Sequence, residues 1–516
     1  MPTLVWIYLL LNFVLCVYSA QVVILGILSI VKDRWGRNQP APPDLAHYPQ
    51  VTVQLPIYNA ARVVQRLWAA AAALDWPGDR LQIQVLDDST DETRDLAAYW
   101  VDHHQRQGVP IVHLHRQDRV GYKAGALHAG IHQSTGEFIA IFDADFVPEP
   151  DFLQRLLPTM LEDRRLAFVQ ARWGHLNKNY SVVTLLQSVV IDSHFFIDQS
   201  VRYWAGLTMH FNGTAGIWRK AAILDCHGWH HDTLCEDLDL SFRALVRGWK
   251  PGFVLDVVVP AELSPQLQAF RQQQFRWAKG SAQCLKKLAP LLLASRLPWW
   301  KKVLALVHIS GYAMNLLVLM QVLLGPWVGL ELRTQDLVPL ALLGLWNTWS
   351  FVFVYWLALR KGNPTNWRSC MLQVMPLLLL FGVGMSFNNS LALFQGVSGL
   401  GGNVFRRTPK FNVVRSADTW KDHVYRLPMS WMVWLELALG GYALAGAWLL
   451  FCHKAYFLIP LSCFYGLGFL VMSWASLSEQ YACPVSPGAG APQPPDSRVA
   501  NIDTPGVDSA SSHPGR

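Results

Sequence analysis

The stretch FIAIFDADF, residues 138–146, decides the fold. Its first five residues are all apolar, the composition of a buried strand. Two carboxylates, Asp143 and Asp145, follow at once. An aspartate after a strand is often only a turn former. Here residues i and i+2 share one face of an extended chain, so both carboxylates can address one ligand. Hard oxygen donors of this kind suit Mg2+ or Mn2+, ions that keep part of their coordination for phosphate oxygens.

Working outward, VTVQLPI (51–57) and IQVLD (83–87) read as strands, each followed by a helical stretch, near 60–74 and 92–107. IVHLH (111–115) is a short strand before the helical GYKAGALHAGIHQ (121–133). Strands alternating with helices predict a mostly parallel sheet covered on both faces. In such sheets ligands bind beyond the carboxyl ends of the strands. Asn59, Asp87, Asp88, Asp143 and Asp145 all fall at or just after predicted strand ends. That shared placement argues more than any one of them.

Other motifs each carry a plain reading and a chemical one. In VLDDSTDET (85–93) the acids cap the next helix, or Asp87 and Asp88 contact a nucleoside base and ribose. GYKAGALHAG lacks P-loop spacing, so Lys123 is a surface lysine or a point charge for a phosphate. LCEDLDLSFRALVRGW (234–249) sets Glu236 and Asp237 before an amphipathic helix. They are helix-start acids, or one is a general base for an acceptor hydroxyl. FRQQQFRWAKG (270–280) reads as an interfacial helix. Its Arg276 suits a lipid headgroup or the forked binding of a diphosphate. Trp277 suits a membrane anchor or a platform for a sugar ring.

The chain has 516 residues, 52% hydrophobic and 15% charged, with 23 Trp. The apolar excess is clustered, which predicts a membrane protein with a water-soluble insert. Residues 4–31 carry no charge and are long enough to span a bilayer. No basic region precedes them and the apolar run continues past the small residues at 19–20, so they read as a span rather than a cleaved leader. Lys32, Arg34 and Arg37 follow, which places that end in the cytoplasm. Further spans are expected at 303–330, 337–359, 430–451 and 456–478. The segment 370–398 lies between basic loops and contains Gln373, Asn388, Asn389 and Gln395. If both loops face the cytoplasm it cannot cross once, so it reads as interfacial or re-entrant.

The net charge of +7 suits cytoplasmic membrane-surface loops. No basic stripe with interleaved aromatics points to nucleic acid. Eight Cys without CxxC spacing predict a reduced compartment and no zinc site.

In chain order, LPIYN, LDDSTD, GYKAGAL, FDADF, FNGTAGIWR, CEDLDL and QQFRW resemble the motifs of the membrane-bound, processive family 2 glycosyltransferases of the cellulose synthase superfamily. The wording is most similar to the plant cellulose-synthase-like A and C groups, mannan, glucomannan and xyloglucan-backbone synthases, and their bacterial relatives. The resemblance covers 51–290 densely. It implies an α/β GT-A (Rossmann-like) cytosolic domain inserted between transmembrane α-helices, and an inverting transfer from a nucleotide sugar with Mg2+ or Mn2+. By matched position Tyr58, Asp87, Asp88, Lys123, Asp143 and Arg276 would bind the nucleotide sugar, with Asp143 and Asp145 on the metal. Asp237 would be the base with Glu236 beside it, Cys235 replacing the family's usual Thr. Phe211, Asn212, Gly213, Thr214, Gln273 and Trp277 would bind the acceptor. Phe405, Thr408 and Lys410 resemble the family's gating loop, with Arg407 in place of a valine.

The domain layout expected is a helix at 1–33, a Pro-rich linker at 34–49, a GT-A domain at 50–262 and interface helices at 263–302. A channel region at 303–480 contains the gating-like loop 399–429, and a disordered tail fills 481–516. The leading expectation is a polysaccharide synthase of a bacterial inner membrane, with the catalytic domain cytoplasmic. It would polymerise hexose from UDP-glucose or GDP-mannose into a β-linked chain and move it across the bilayer. Its partners would be the donor, the growing glycan, membrane lipids and accessory export subunits. The alternative is a non-processive enzyme with a lipid acceptor, making a glycolipid.

Overall fold

The structure, a computed structural model, describes residues 3–35, 45, 47–332, 334–415, 417–420 and 426–481. The tail beyond Tyr481 and linker residues 36–44 lie outside the described residues.

Seven strands form one sheet: β1 (Val51–Ile57), β2 (Leu81–Asp87), β3 (Ile111–His115), β4 (Phe138–Ile141), β5 (Leu166–His175), β6 (Gly216–Arg219) and β7 (Lys250–Ala261). Their order is β3-β2-β1-β4-β6-β5-β7. Only β6 runs against its neighbours, pairing antiparallel with β4 and β5. The mostly parallel α/β sheet expected from the sequence is present, and it has the mixed GT-A form. β1 and β4 sit at its centre and are buried along their whole length, as near-continuous apolar runs require.

Each face has its own core. On one, Leu67, Trp68, Val101, Phe152 and Leu156 of three helices close over β1, β2 and β4. On the other, Leu127, Ile131, Ile223 and Leu240 pack with Phe211 and Trp218. Each large apolar side chain buried in this way contributes roughly 1.5–3 kcal/mol.

The apolar part is helical. Among the described residues six stretches are long and apolar enough to cross a bilayer: Thr3–Trp35, Ala313–Glu331, Asp336–Gly362, Trp367–Ser398, Met432–Cys452 and Tyr456–Tyr481. The single span expected at 303–330 is instead two helices, Trp299–Ile309 and Ala313–Glu331. The helix stops at Ser310-Gly311, where the Ser310 hydroxyl bonds back to Leu306 O, and Gly offers no compensating helix propensity. Polar side chains pair between these helices: Gln321 donates to Asn12 and accepts from Tyr465, and Ser19 donates to Asn347. In apolar surroundings such pairs fix which helix faces meet.

Trp367–Ser398 is a helix pair, Trp367–Gly384 and Ser386–Ser398. Both ends meet the α/β domain or the long helix that follows it. Asn363, just before the pair, bonds with Lys178. Leu400 and Gly402, just after it, accept from Lys279. Helix Leu267–Ala294, which carries Gln273, Arg276 and Trp277, joins the two parts. Its Arg271 forms a fully buried ion pair with Glu436 of helix Met432–Cys452.

Candidate active site

One cleft, about 1330 Å3 with its open mouth included, lies beyond the carboxyl ends of the strands. Tyr58, Asp88, Lys123, Asp143, Asp145, Asn212, Gly213, Glu236, Asp237, Gln273, Arg276 and Trp277 line it, with Phe405, Thr408 and Lys410 of the loop. These residues come from segments far apart in sequence, and the sheet edge gathers them.

Three predicted residues are elsewhere. Asp87 is 0% exposed, its carboxylate filled by the Ser89 N–H and the rings of His113 and His115 at 2.8, 2.9 and 3.2 Å. Burial opposes its charge, but these bonds outweigh it and hold its pKa below the usual value. Asp87 therefore braces the β2–β3 edge, while Asp88 faces the cleft. Phe211 is fully buried in the second core. Thr214 is buried too, and its hydroxyl accepts the backbone N–H of Asp143 at 2.9 Å. Thr214 thus positions a cleft carboxylate without lining the cleft. Neighbours in an extended chain point to opposite sides, so a motif of adjacent residues delivers only some of them to a cleft.

Lys123 sits at the centre. Its ammonium is 2.6 Å from Asp143 and 3.7 Å from Glu236, and donates to Gly213 O at 2.9 Å. Burial works against its charge, yet Asp143 and Glu236 more than compensate and its pKa is raised. Glu236 and Asp237 open helix Glu236–Val246. Asp237 accepts the N–H of Leu238 at 2.8 Å. Burial and then the charge of Glu236 push its pKa up to about 7, against the pull of Lys123 and Arg276. That value suits a group that must take a proton near neutral pH.

Gly213 has a left-handed φ of +83°, and a Cβ there would lie 3.0 Å from Asp237 Oδ2. Only glycine accepts both the conformation and the carboxylate against its backbone. Gly280, one residue past the QxxRWxx run, plays a similar part: a Cβ there would collide with the Cys235 sulfur. The small thiol that replaces the expected Thr therefore packs directly against the helix carrying Arg276.

The loop closes over the cleft. Lys410 is 2.7 Å from Asp145. The Glu262 carboxylate accepts the N–H groups of Phe411 and Asn412, both at 2.9 Å. Arg407 donates to Asn59 O, and Gln272 donates to Arg407 O. Phe405 stacks on Tyr122 and lies under the Arg276 guanidinium, 4.5 Å from its ring centre. In this closed form each carboxylate of the DAD pair carries a lysine.

Sequence reasoning missed Arg119, Trp173, His175 and Glu262, all of which line the cleft. Arg119 lies over the Tyr58 ring at 3.3 Å. It stands two residues before the GYKAG turn, and an arginine so close to that glycine turn and Lys123 was the available signal. Glu262 follows directly after β7 and obeys the strand-end rule that exposed the other acids.

Residues 49–280 match the family model described as glycosyltransferase like family 2. Glucomannan 4-beta-mannosyltransferase 9 of Arabidopsis thaliana is 36% identical over 386 residues, 72% of this chain and 71% of that protein. Glucomannan 4-beta-mannosyltransferase 7 of Arabidopsis thaliana is 42% identical over 262 residues, 50% of this chain and 47% of that protein. The match thus spans about half the length of several of these curated relatives. A solved mannosyltransferase of Pyrobaculum calidifontis, in complex with GDP-Man and Mn2+, is 18% identical with a TM-score of 0.49, covering 76% of this chain and 99% of its own. On the strength of the family model and the long match to the plant protein, the chain belongs to glycosyltransferase family 2.

Proposed function

We propose that this chain is a membrane-embedded, inverting hexosyltransferase that builds a β-linked polysaccharide from a nucleotide sugar. The observation that carries the reading is the meeting of Asp143, Asp145, Asp237, Arg276 and Trp277 in one cleft, beside apolar helices. The relatives named glucomannan 4-beta-mannosyltransferases favour mannose as the transferred sugar and a 4-linked β product.

Arg276 and Lys123 are the cations that would hold the donor diphosphate. Asp143 and Asp145 fit a divalent ion: both are oxygen donors on the same cleft, and each is balanced by an ammonium that a dication can replace. Bound there, Mg2+ or Mn2+ supplies charge stabilisation to the departing diphosphate. Asp237 takes the proton of the acceptor hydroxyl as its oxygen attacks the anomeric carbon from the face opposite the diphosphate. One C–O bond forms, the anomeric C–O bond breaks, and an α-linked donor gives a β-linked product. Trp277 offers its face to the acceptor ring. Thr214 holds the Asp143 backbone from behind, and Gly213 leaves room for the Asp237 carboxylate.

The side of the molecule bearing the cleft also bears Lys32, Lys361 and the 406–410 loop. Lys361 pairs with Asp33 at 2.9 Å and Lys32 donates to Ser200. Positive charge on one side supports a cytoplasmic catalytic domain. Helix pair Trp367–Ser398 leaves from and returns to that side, which supports a re-entrant or interfacial course and five crossing segments.

The test is purification in detergent and incubation with UDP- and GDP-sugars plus Mg2+ or Mn2+. The reading expects a lipid-insoluble, β-linked polymer from GDP-mannose or UDP-glucose. Only short, lipid-extractable products would replace it with the glycolipid reading.

A further inference from the structure

Beyond the reaction centre the cleft continues along β5 to a group that the transfer chemistry does not use. Trp173 and His175 lie two apart on β5, on one face, and both line the cleft. The His175 side chain is 7% exposed. Its Nε2 is 2.9 Å from Asp192 Oδ1, while its Nδ1 is buried with no partner. A carboxylate at Nε2 fixes the proton there and leaves Nδ1 as a lone-pair acceptor. A buried acceptor without a partner costs stability, roughly 1–3 kcal/mol, unless something fills it.

Three features say what fills it. An acceptor needs a ligand that brings O–H or N–H, which an ionised phosphate lacks, and the Asp192 charge behind it is already met by Lys178 at 3.6 Å. The Trp173 indole beside it offers a flat apolar face, and it is held by Phe146 and Phe195 at ring distances of 5.2 and 5.5 Å. An aromatic face next to a buried ring nitrogen without a partner suits a sugar ring, which presents C–H on its faces and hydroxyls at its rim. Asp192 belongs to helix Val182–Ser193. The same helix sends Gln187 and Ile191 into the cleft and packs Leu186 and Val189 against Val352, Leu359, Val374 and Leu378 of the apolar helices. The group therefore sits where a chain leaving the reaction centre would meet the membrane part.

The geometry points to Trp173 and His175, the latter oriented by Asp192, as a glycan-binding subsite that accepts a hydroxyl of a sugar in the acceptor chain. The inference rests on the transferase reading above but has its own readout. Binding of a β-linked hexose oligosaccharide, such as a mannohexaose or cellohexaose, is measured by calorimetry on the whole detergent-solubilised protein, without donor or metal. His175→Phe keeps a ring and removes the acceptor, so the dissociation constant is expected to rise roughly three- to tenfold. His175→Gln, whose amide oxygen is again an acceptor, is expected to recover part of it. Nucleotide binding, followed on the same samples, is expected to stay at the wild-type value, while the melting temperature of His175→Phe falls because Asp192 loses the His175 N–H.

Unchanged oligosaccharide affinity in a folded His175→Phe protein overturns the subsite. So does a wild-type protein that transfers sugar yet binds no oligosaccharide at millimolar concentration. If nucleotide sugars fail to bind the wild type while oligosaccharide does, the transferase reading falls and the subsite stands.

Discussion

Replacing Glu236 with Gln probes the chemistry without touching the proposed base. Asp237 has its pKa pushed up to about 7, by burial first and then by the negative charge of Glu236. At that value the wild-type base is about half ionised at pH 7 and about one-tenth ionised at pH 6. Below neutrality kcat/KM for the donor should fall about tenfold per pH unit, because that ratio reports groups of the free enzyme. Glu236→Gln removes one raising influence and keeps the shape, so the ascending limb moves to lower pH. A drop of about one unit would raise the ionised fraction at pH 6 from roughly one-tenth to one-half, a gain of about fivefold in relative rate. Initial rates of nucleotide release between pH 5 and 9, in buffers of constant ionic strength, measure it. Asp237→Asn supplies the base-free control and should bind nucleotide while transferring nothing. A wild-type profile flat across pH 6–8, or a limb that moves upward in Glu236→Gln, refutes the assignment of Asp237 and its coupling to Glu236.

Gly213→Ala should lower kcat about 100-fold with nucleotide affinity kept, since a small misplacement of a reacting group costs that much. The added Cβ meets Asp237 Oδ2 at 3.0 Å and the left-handed backbone costs an L-residue about 1–2 kcal/mol. Single-turnover kinetics with a donor titration separates the two effects. Glu262→Ala removes the acceptor of two loop amides, so limited proteolysis between 403 and 415 should become at least roughly tenfold faster. Lys410→Met takes a cation away from Asp145, so the dissociation constant for Mn2+ in the donor-free protein should fall, on the order of tenfold, by electron paramagnetic resonance titration. Unchanged Mn2+ affinity would show that Lys410 does not occupy the ion's place.

The first half of the sheet was readable because β1 to β4 obey simple patterns. β3 falls at Ile111–His115 and β1 at Val51–Ile57, as the apolar runs predict. The second half was hidden. β7 opens with Lys250-Pro251-Gly252, a turn signal, and its pairing with β5 shifts register twice. β6 is four residues long and is set by its neighbours rather than by its own pattern. In the site, acids at strand ends were visible because topology alone places them. What no pattern gave was which member of a pair faces inward, Asp88 rather than Asp87, or Asn212 rather than Phe211. Nor could spacing reveal that Lys410 reaches Asp145, 265 residues away.

Asp143, Asp145 and Asp237, from separate segments, meet in one cleft, the arrangement proposed as an inverting centre. Its most direct test is the anomeric configuration of the bond made by the purified protein from an α-linked donor such as GDP-mannose, read by proton NMR of the product with Asp237→Asn run beside it. Only β-linkages are expected from the wild type, and none from the variant. An α-linked product, or β-linkages formed equally well without the Asp237 carboxylate, would contradict it.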